Sequence, residues 1–458
     1  MISLTEPIIH FILETEFKKL PPSTIHATKR CILDCLGVAI AGSRSLGVRE
    51  VVDLAVEMGG IKESRIWTYG MKAPAQQATF VNSVMAHALD YDDSYRPGII
   101  HPTCSTLPTT LAMCEKIGGQ SGKDLILSVC LGNDIACRLA AALKPYDPYD
   151  HKLPPWRNSA ICSAFGCVVA VSKLRNDSFK TVRDALGIVY SQIAGNKQCE
   201  IDGATVKRMQ PGFMAQAALS AAFLAQKRVS GAKDIFEGTY GFFEVYGNRN
   251  ANPAEVLEGL GKTFRVEEIG FKVYPCCALI QAPIEATLEL KRTHRLKPDE
   301  VEIIKVIASP MVVSEVGREY VPGENPRVDA QFSIPYNLAT AMIRGDVNIG
   351  DFELEAVTNP ERVRFSKRIE IIDFPGMKGG LPITVEIHTT KGERFSKTLE
   401  ERKGDIKRAL SDEELSEKFY KCVGYSDFSD KKKKAKLISE MILNIEEREE
   451  LESLLDLL

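Results

Sequence analysis

The chain has no run of eighteen uncharged apolar residues, so no segment reads as a membrane-spanning helix. None of its twelve cysteines forms a CxxC pair, its seven histidines show no metal-ligand spacing, and it has no glycine-rich phosphate loop. These absences point to chemistry that needs neither a metal nor an organic cofactor. Charge of one sign is also missing. A net charge of −3 argues against general affinity for nucleic acid or an anionic membrane surface. No basic region precedes an apolar run at the N-terminus, and Glu6 comes early, so a signal peptide is not expected and the cytoplasm is. Cys31, Cys35, Cys130, Cys137, Cys162 and Cys167 stand in apolar surroundings and read as small core residues of a reducing compartment. Only the adjacent Cys276 and Cys277 depart from that pattern. There is no internal repeat and no low-complexity linker.

With 458 residues, 44% hydrophobic and 26% charged, the chain is long enough for two domains. Up to about Lys227 the apolar spacing is helical: 23–41, 75–93, 104–116, 122–143, 160–173, 181–193 and 213–227. Small residues all round, as in 136–142 and 215–222, imply helices buried on most sides. Strand-like segments follow at 301–308, 368–373 and 383–389, the last joined by a hairpin to 394–399; helices at 282–292 and 335–343 interleave. From 411 to 458 the pattern is helical again, and the Lys431–Lys434 run reads as a solvated helix start. The expected fold is mainly α: a helical domain (1–265), an inserted smaller α+β lid domain (266–402), and C-terminal helices returning to the helical domain (403–458).

The densest chemistry lies between His87 and Pro102, which hold three carboxylates, two histidines, Ser94 and Arg96. On a helix, His87, Asp90, Asp93 and Ser94 would share one face while Asp92 points elsewhere. Pro97-Gly98 would end that helix, and His101 would return on a loop. Two further clusters add cations. Arg157 precedes a small-residue helix, where the dipole disfavours it unless an anion, from protein or substrate, intervenes. Lys207 and Arg208 precede another helix, with Glu200 and Asp202 as local counter-ions. Arg96, His101, Arg157, Lys207 and Arg208 near Asp90 and Asp93 make a pocket suited to a small polycarboxylate.

Several motifs occur together in one order: Ala86-His87-Ala88-Leu89-Asp90-Tyr91-Asp92-Asp93-Ser94 with His101-Pro102, the stretch from Gly122, Phe165-Gly166, Lys207 with Pro211-Gly212, 231–246, Tyr274-Pro275-Cys276-Cys277 and Phe332-Ser333-Ile334-Pro335-Tyr336. In this the chain resembles the MmgE/PrpD family, which includes 2-methylcitrate dehydratase, cis-aconitate decarboxylase and iminodisuccinate epimerase. The resemblance implies a large helical domain, a smaller α+β lid, a homodimer, and metal-free lyase or isomerase chemistry on small di- and tricarboxylates. Asp90, Ser94, His101 and Lys207 match the family's active-site set, with Ser94 where threonine is usual. Arg157 and Gln281 stand where members often have histidine.

The expected roles follow. His101 transfers the proton, oriented or tuned by Asp90, and its ordinary pKa of about 6.5 suits it to that task. Lys207 and Arg157 hold carboxylates, Tyr320 is a second candidate acid, and Ser94 and Lys272 bind substrate oxygens. Asp93, Arg96, Arg208, Cys277 and Gln281 complete the expected binding set. Fixed cations would stabilise the carbanion that dehydration, epimerisation and decarboxylation share. Because arginine does not titrate, a one-base elimination fits best, which makes a dehydratase of a 2-hydroxy polycarboxylate the first reading. An epimerase or a decarboxylase is the alternative, and a catalytically silent scaffold that binds a metabolite is a third.

Overall fold

A computed structural model describes residues 3–146, 153–427 and 429–458. The chain is mainly helical, and its apolar residues gather into two large cores. The first is built from helices Pro22–Gly42, Ala75–His87, Thr103–Ile117, Gly122–Ala142, Asn158–Leu174 and Gln210–Gln226. Residues from Leu410 to Leu458 join that same core. Lys29 pairs there with Glu446 at 2.6 Å, and Gly122 N–H donates to the Arg448 carbonyl at 2.9 Å. Lys432–Lys434 lie exposed in the first turns of helix Ser429–Leu443; the Lys431 side chain and Phe428 fall outside the described residues.

The second core lies under a four-stranded sheet ordered Ile369–Asp373, Val301–Ala308, Ile383–Thr389, Arg394–Leu399. The first pair is parallel and the others antiparallel, so Val306 faces Ile371 on one side and Val385 on the other. Alternate residues of Ile383–Thr389 are buried, as a sheet with one covered face requires. Helix Gln281–His294 packs on this sheet and on helix Ile334–Arg344.

Helix Gly122–Ala142 is apolar and long enough to cross a membrane, yet 94% of its apolar window is buried inside the protein. It also carries a fully buried ion pair, Asp134 with Arg138 at 2.7 Å, and Arg138 donates to the carbonyls of Val256 and Glu258. The helix crosses Asn158–Leu174 at two glycines. A Cβ on Gly166 would stand 2.5 Å from the Gly132 carbonyl oxygen, and one on Gly132 would stand 2.7 Å from the Gly166 oxygen. Helix Gln210–Gln226 is less enclosed than its small residues suggest, with Phe213 and Leu224 at the surface. All twelve cysteines are free, and eleven are buried.

Gly166→Val should therefore push the two helices apart. We expect a loss of about 1–3 kcal/mol, read as a lower urea midpoint with an unchanged slope; wild-type stability would show that the crossing has slack.

Candidate active site

Helix Ala75–His87 stops at His87 and does not run on to Asp93. Asp90 takes a left-handed φ of 52°, which aspartate tolerates better than most residues, and this turns the chain. A loop follows, closed by Tyr95 pairing with Ile100, N–H to O at 2.8 and 3.3 Å, and by Ser94 pairing with Gly270 at 2.9 Å in both directions. The shared helix face is thus corrected: residues 88–94 are not helical, and Pro97-Gly98 sit in a 3₁₀ turn, Arg96–Gly98, within the loop. His101 does return on that loop, just before helix Thr103–Ile117.

Asp90 is the hub. Its Oδ1 accepts from Lys207 Nζ, and its Oδ2 accepts from Lys272 Nζ at 3.1 Å; Lys272 also reaches the Asp90 carbonyl at 2.7 Å. Burial alone would raise this carboxyl, but the two ammonium groups hold it well below the usual range. Asp90 is therefore a fixed anion and not a base. Burial lowers Lys207, while Lys272, where Asp90 and Asp92 outweigh burial, is raised.

A second chain of bonds runs behind it. His87 Nδ1 meets Asp92 Oδ2 at 2.8 Å, and His87 Nε2 meets Lys207 Nζ at 3.1 Å. A carboxylate on one side and an ammonium on the other require a neutral ring with the proton on Nδ1. Burial pushes His87 down to about 4, against the pull of Asp92. His101 Nδ1 lies against the Asp93 carbonyl, and Asp92 Oδ2 is 3.8 Å from it. A carbonyl only accepts, so Nδ1 carries the proton and the Nε2 lone pair is left available. Burial and then Lys272 lower His101 to about 3. The near-neutral titration expected of His101 is thus corrected, as is its orientation by Asp90: the Asp93 carbonyl holds the ring.

Asp90, Ser94 and His101 line a cavity of about 270 Å³. Arg96, Arg157, Lys197 and Arg402 also line it, and each has a carboxylate partner. Arg157 pairs with Glu200, Lys197 with Glu315 at 2.5 Å, Arg96 with Glu401 at 3.2 Å and Arg402 with Asp405 at 2.7 Å. The anion that Arg157 requires at its helix terminus is Glu200, which therefore does not neutralise Lys207 or Arg208. Cys277 and Phe332 complete this part of the wall, and Lys207 Nζ stands 5.0 Å from the Phe332 ring centroid.

Other residues named from the sequence have different work. The Tyr320 hydroxyl donates to the Val357 carbonyl at 2.9 Å, burial raises its phenol, and it does not line the cavity. Arg208 is buried and donates to the Leu46 carbonyl at 3.2 Å. Gln281 braces the turn before Cys276, accepting from Val273 and Tyr274 N–H and donating to the Tyr274 carbonyl. Asp93 accepts from the Thr103 hydroxyl behind the cavity, and burial favours its protonated form. Asp92, Ser159 and Lys197 were missed. Ser159 Oγ accepts from His101 N–H at 3.0 Å, so the Asn158-Ser159 pair after Arg157 was the available signal.

His87, Asp92 and Cys104 bring one ligand atom each within 4.8 Å of one another, a candidate metal group among the described residues. Hydrogen bonds already engage these atoms. The Cys104 thiol, pushed well up by burial, donates to the His101 carbonyl at 3.2 Å. A metal would have to displace Lys207 from His87 and deprotonate that thiol.

Comparison with known families matches residues 6–254 to the MmgE/PrpD N-terminal domain and residues 274–444 to the MmgE/PrpD C-terminal domain. The chain belongs to the MmgE/PrpD family. It is 26% identical over 482 aligned residues to a cis-aconitate decarboxylase of Aspergillus terreus, covering 99% of this chain and 96% of the relative. It is 25% identical to the cis-aconitate decarboxylases of Mus musculus and Homo sapiens, covering 91% of this chain and 86% and 87% of those proteins.

The lowered histidines have a consequence for stability. His101 is at about 3 folded and about 6.5 unfolded. Between those values the unfolded chain binds the extra proton, so stability falls as pH falls below about 6.5. His101→Gln should flatten the stability-versus-pH line between pH 4 and 5.5 by up to about 1.4 kcal/mol per pH unit. Denaturant titrations across that range read the difference, and parallel lines would mean that His101 is not held neutral.

Proposed function

We propose that the protein is a lyase acting on a small di- or tricarboxylate through a carbanion next to a carboxylate. One observation carries this reading: the neutral His101 ring, locked by the Asp93 carbonyl, lines a cavity rimmed with cations. A fixed imidazole base beside guanidinium and ammonium groups is the equipment for moving a proton at an acidified carbon. Arg157 and Ser94 bind carboxylate oxygens, with the substrate taking the place of Glu200 on Arg157. Lys207 has two of its three N–H groups engaged by Asp90 and His87. It stands behind the wall, on Asp90, which lines the cavity, and with its acidity raised by burial it is the candidate proton donor.

Decarboxylation of a cis-aconitate-like acid is the first specific reading, supported by relatives that match nearly the whole chain. A carbon–carboxylate bond breaks, the electron pair passes to the neighbouring unsaturated carbon, and a proton from Lys207 quenches it. Dehydration of a 2-hydroxy tricarboxylate is the second, because the neutral His101 ring can accept a proton at Nε2, as a base that burial and Lys272 weaken. There His101 Nε2 takes the proton from the carbon next to a carboxylate, the C–H electron pair forms the alkene as the C–O bond breaks, and the hydroxyl leaves as water with a proton from Lys207.

Incubation with cis-aconitate, citrate, 2-methylcitrate and iminodisuccinate separates these. Carbon dioxide release supports decarboxylation, alkene formation without it supports dehydration, and proton exchange with inversion in heavy water would replace both by epimerisation. Binding without any of the three would overturn the lyase reading. His101→Gln should abolish turnover with binding within a few-fold of wild type. Arg157→Ala should weaken binding by roughly 10-fold or more, the worth of a charge-assisted pair. Wild-type binding in that variant removes Arg157 from the site.

A further inference from the structure

The charged groups occupy only part of the cavity wall. Besides Ser94, Asn158 and Ser159, the rest of the wall among the described residues is largely apolar and includes Tyr146, Leu153, Leu279, Met311, Val316 and Leu381. Four of these are only partly buried, as residues facing a cavity are. They come from segments far apart in sequence, and hydrogen bonds fix part of their arrangement. The Ser309 hydroxyl, at the start of helix Pro310–Val316, donates to the Gly379 carbonyl at 2.5 Å, which holds Gly379-Gly380 beside Met311. A Cβ on Gly380 would stand 2.9 Å from Leu279 Cδ2 and 3.9 Å from Met311 Cε, so glycine leaves room where these side chains converge. The Lys197–Glu315 pair ties the same helix to the segment that carries Glu200, the partner of Arg157.

A compact polycarboxylate, polar over its whole surface, gains nothing from such a wall. We propose that the ligand of this cavity is a di- or tricarboxylate bearing an alkyl substituent of two or more carbons. Its carboxylates lie at the His101, Ser94 and Arg157 side, and its chain lies against Leu279, Met311 and Leu381. The inference rests on the carboxylate reading above and deepens it by adding the apolar part. Removing the chain from water supplies affinity in proportion to its length, while the cations fix the polar end.

Alkylsuccinates test this without turnover. Calorimetry on the full chain should compare succinate, ethylsuccinate, butylsuccinate and hexylsuccinate, with cis-aconitate alongside. Affinity should rise about fourfold per added methylene until the chain outgrows the cavity. In Gly380→Val, which fills the point of convergence, the ratio of hexylsuccinate to succinate affinity should fall at least tenfold. Should that variant fail to fold, Met311→Gln gives the same readout by making the wall polar. If succinate or cis-aconitate binds and the chain adds nothing, the inference is overturned and the carboxylate reading stands. If affinity grows with length but neither variant lowers the ratio, the chain binds elsewhere and the inference again falls. If no carboxylate binds, both fall.

Discussion

One carboxylate shared by two lysines organises the centre of this protein. Asp90, Lys207 and Lys272 are each nearly inaccessible to water, and a buried charge persists only when partners replace its hydration. The left-handed turn at Asp90 puts its carboxylate where two cations from distant segments can meet it. The neutral state of His87 follows, because one of its nitrogens faces the same ammonium. The neutral state of His101 follows in turn, with Lys272 close by and its ring proton given to a carbonyl. Removing either lysine would leave the buried Asp90 and Asp92 carboxylates with a single ammonium between them.

What could be read in the sequence divides along physical lines. Segments whose burial is periodic were legible: strands 301–308, 383–389 and 394–399 have the limits read from alternation, and the long helices lie within a few residues of those expected. Spacing alone decides these, because one face must be apolar. The loop after His87 was not legible. Its polar residues happen to recur at three and four, which imitates a helix, and a single left-handed aspartate undoes the pattern. Asp92 was set aside for that reason, although its carboxylate orients His87. Tyr320 and Gln281 were misjudged for a related cause: a buried polar side chain must be hydrogen-bonded, and whether its partner is backbone or substrate is not written in its identity. Arg157 was read correctly as needing an anion, and the anion proved to be the protein's own Glu200.

That pairing recurs around the cavity. Among the described residues each lining cation is held by a protein carboxylate, so an acid bound as proposed would exchange with an internal anion and not meet a bare charge. This lowers the gain from charge alone and lets shape, and contact with the apolar wall, decide which acid is retained.

The Lys418 ammonium, on helix Asp412–Tyr425, pairs with Asp34 at 2.6 Å and donates to the Tyr91 carbonyl at 2.8 Å, 327 positions earlier in the chain. The loop beside Asp90 thus takes one of its supports from a residue more than three hundred positions later in the chain. Until Lys418 is in place the buried Asp34 carboxylate lacks its cation and the loop lacks this tether, although the early helices can already collect their apolar faces. Closing a contact over so long a separation costs loop entropy that the local packing of the surrounding helices does not, so this tether is expected to form after them.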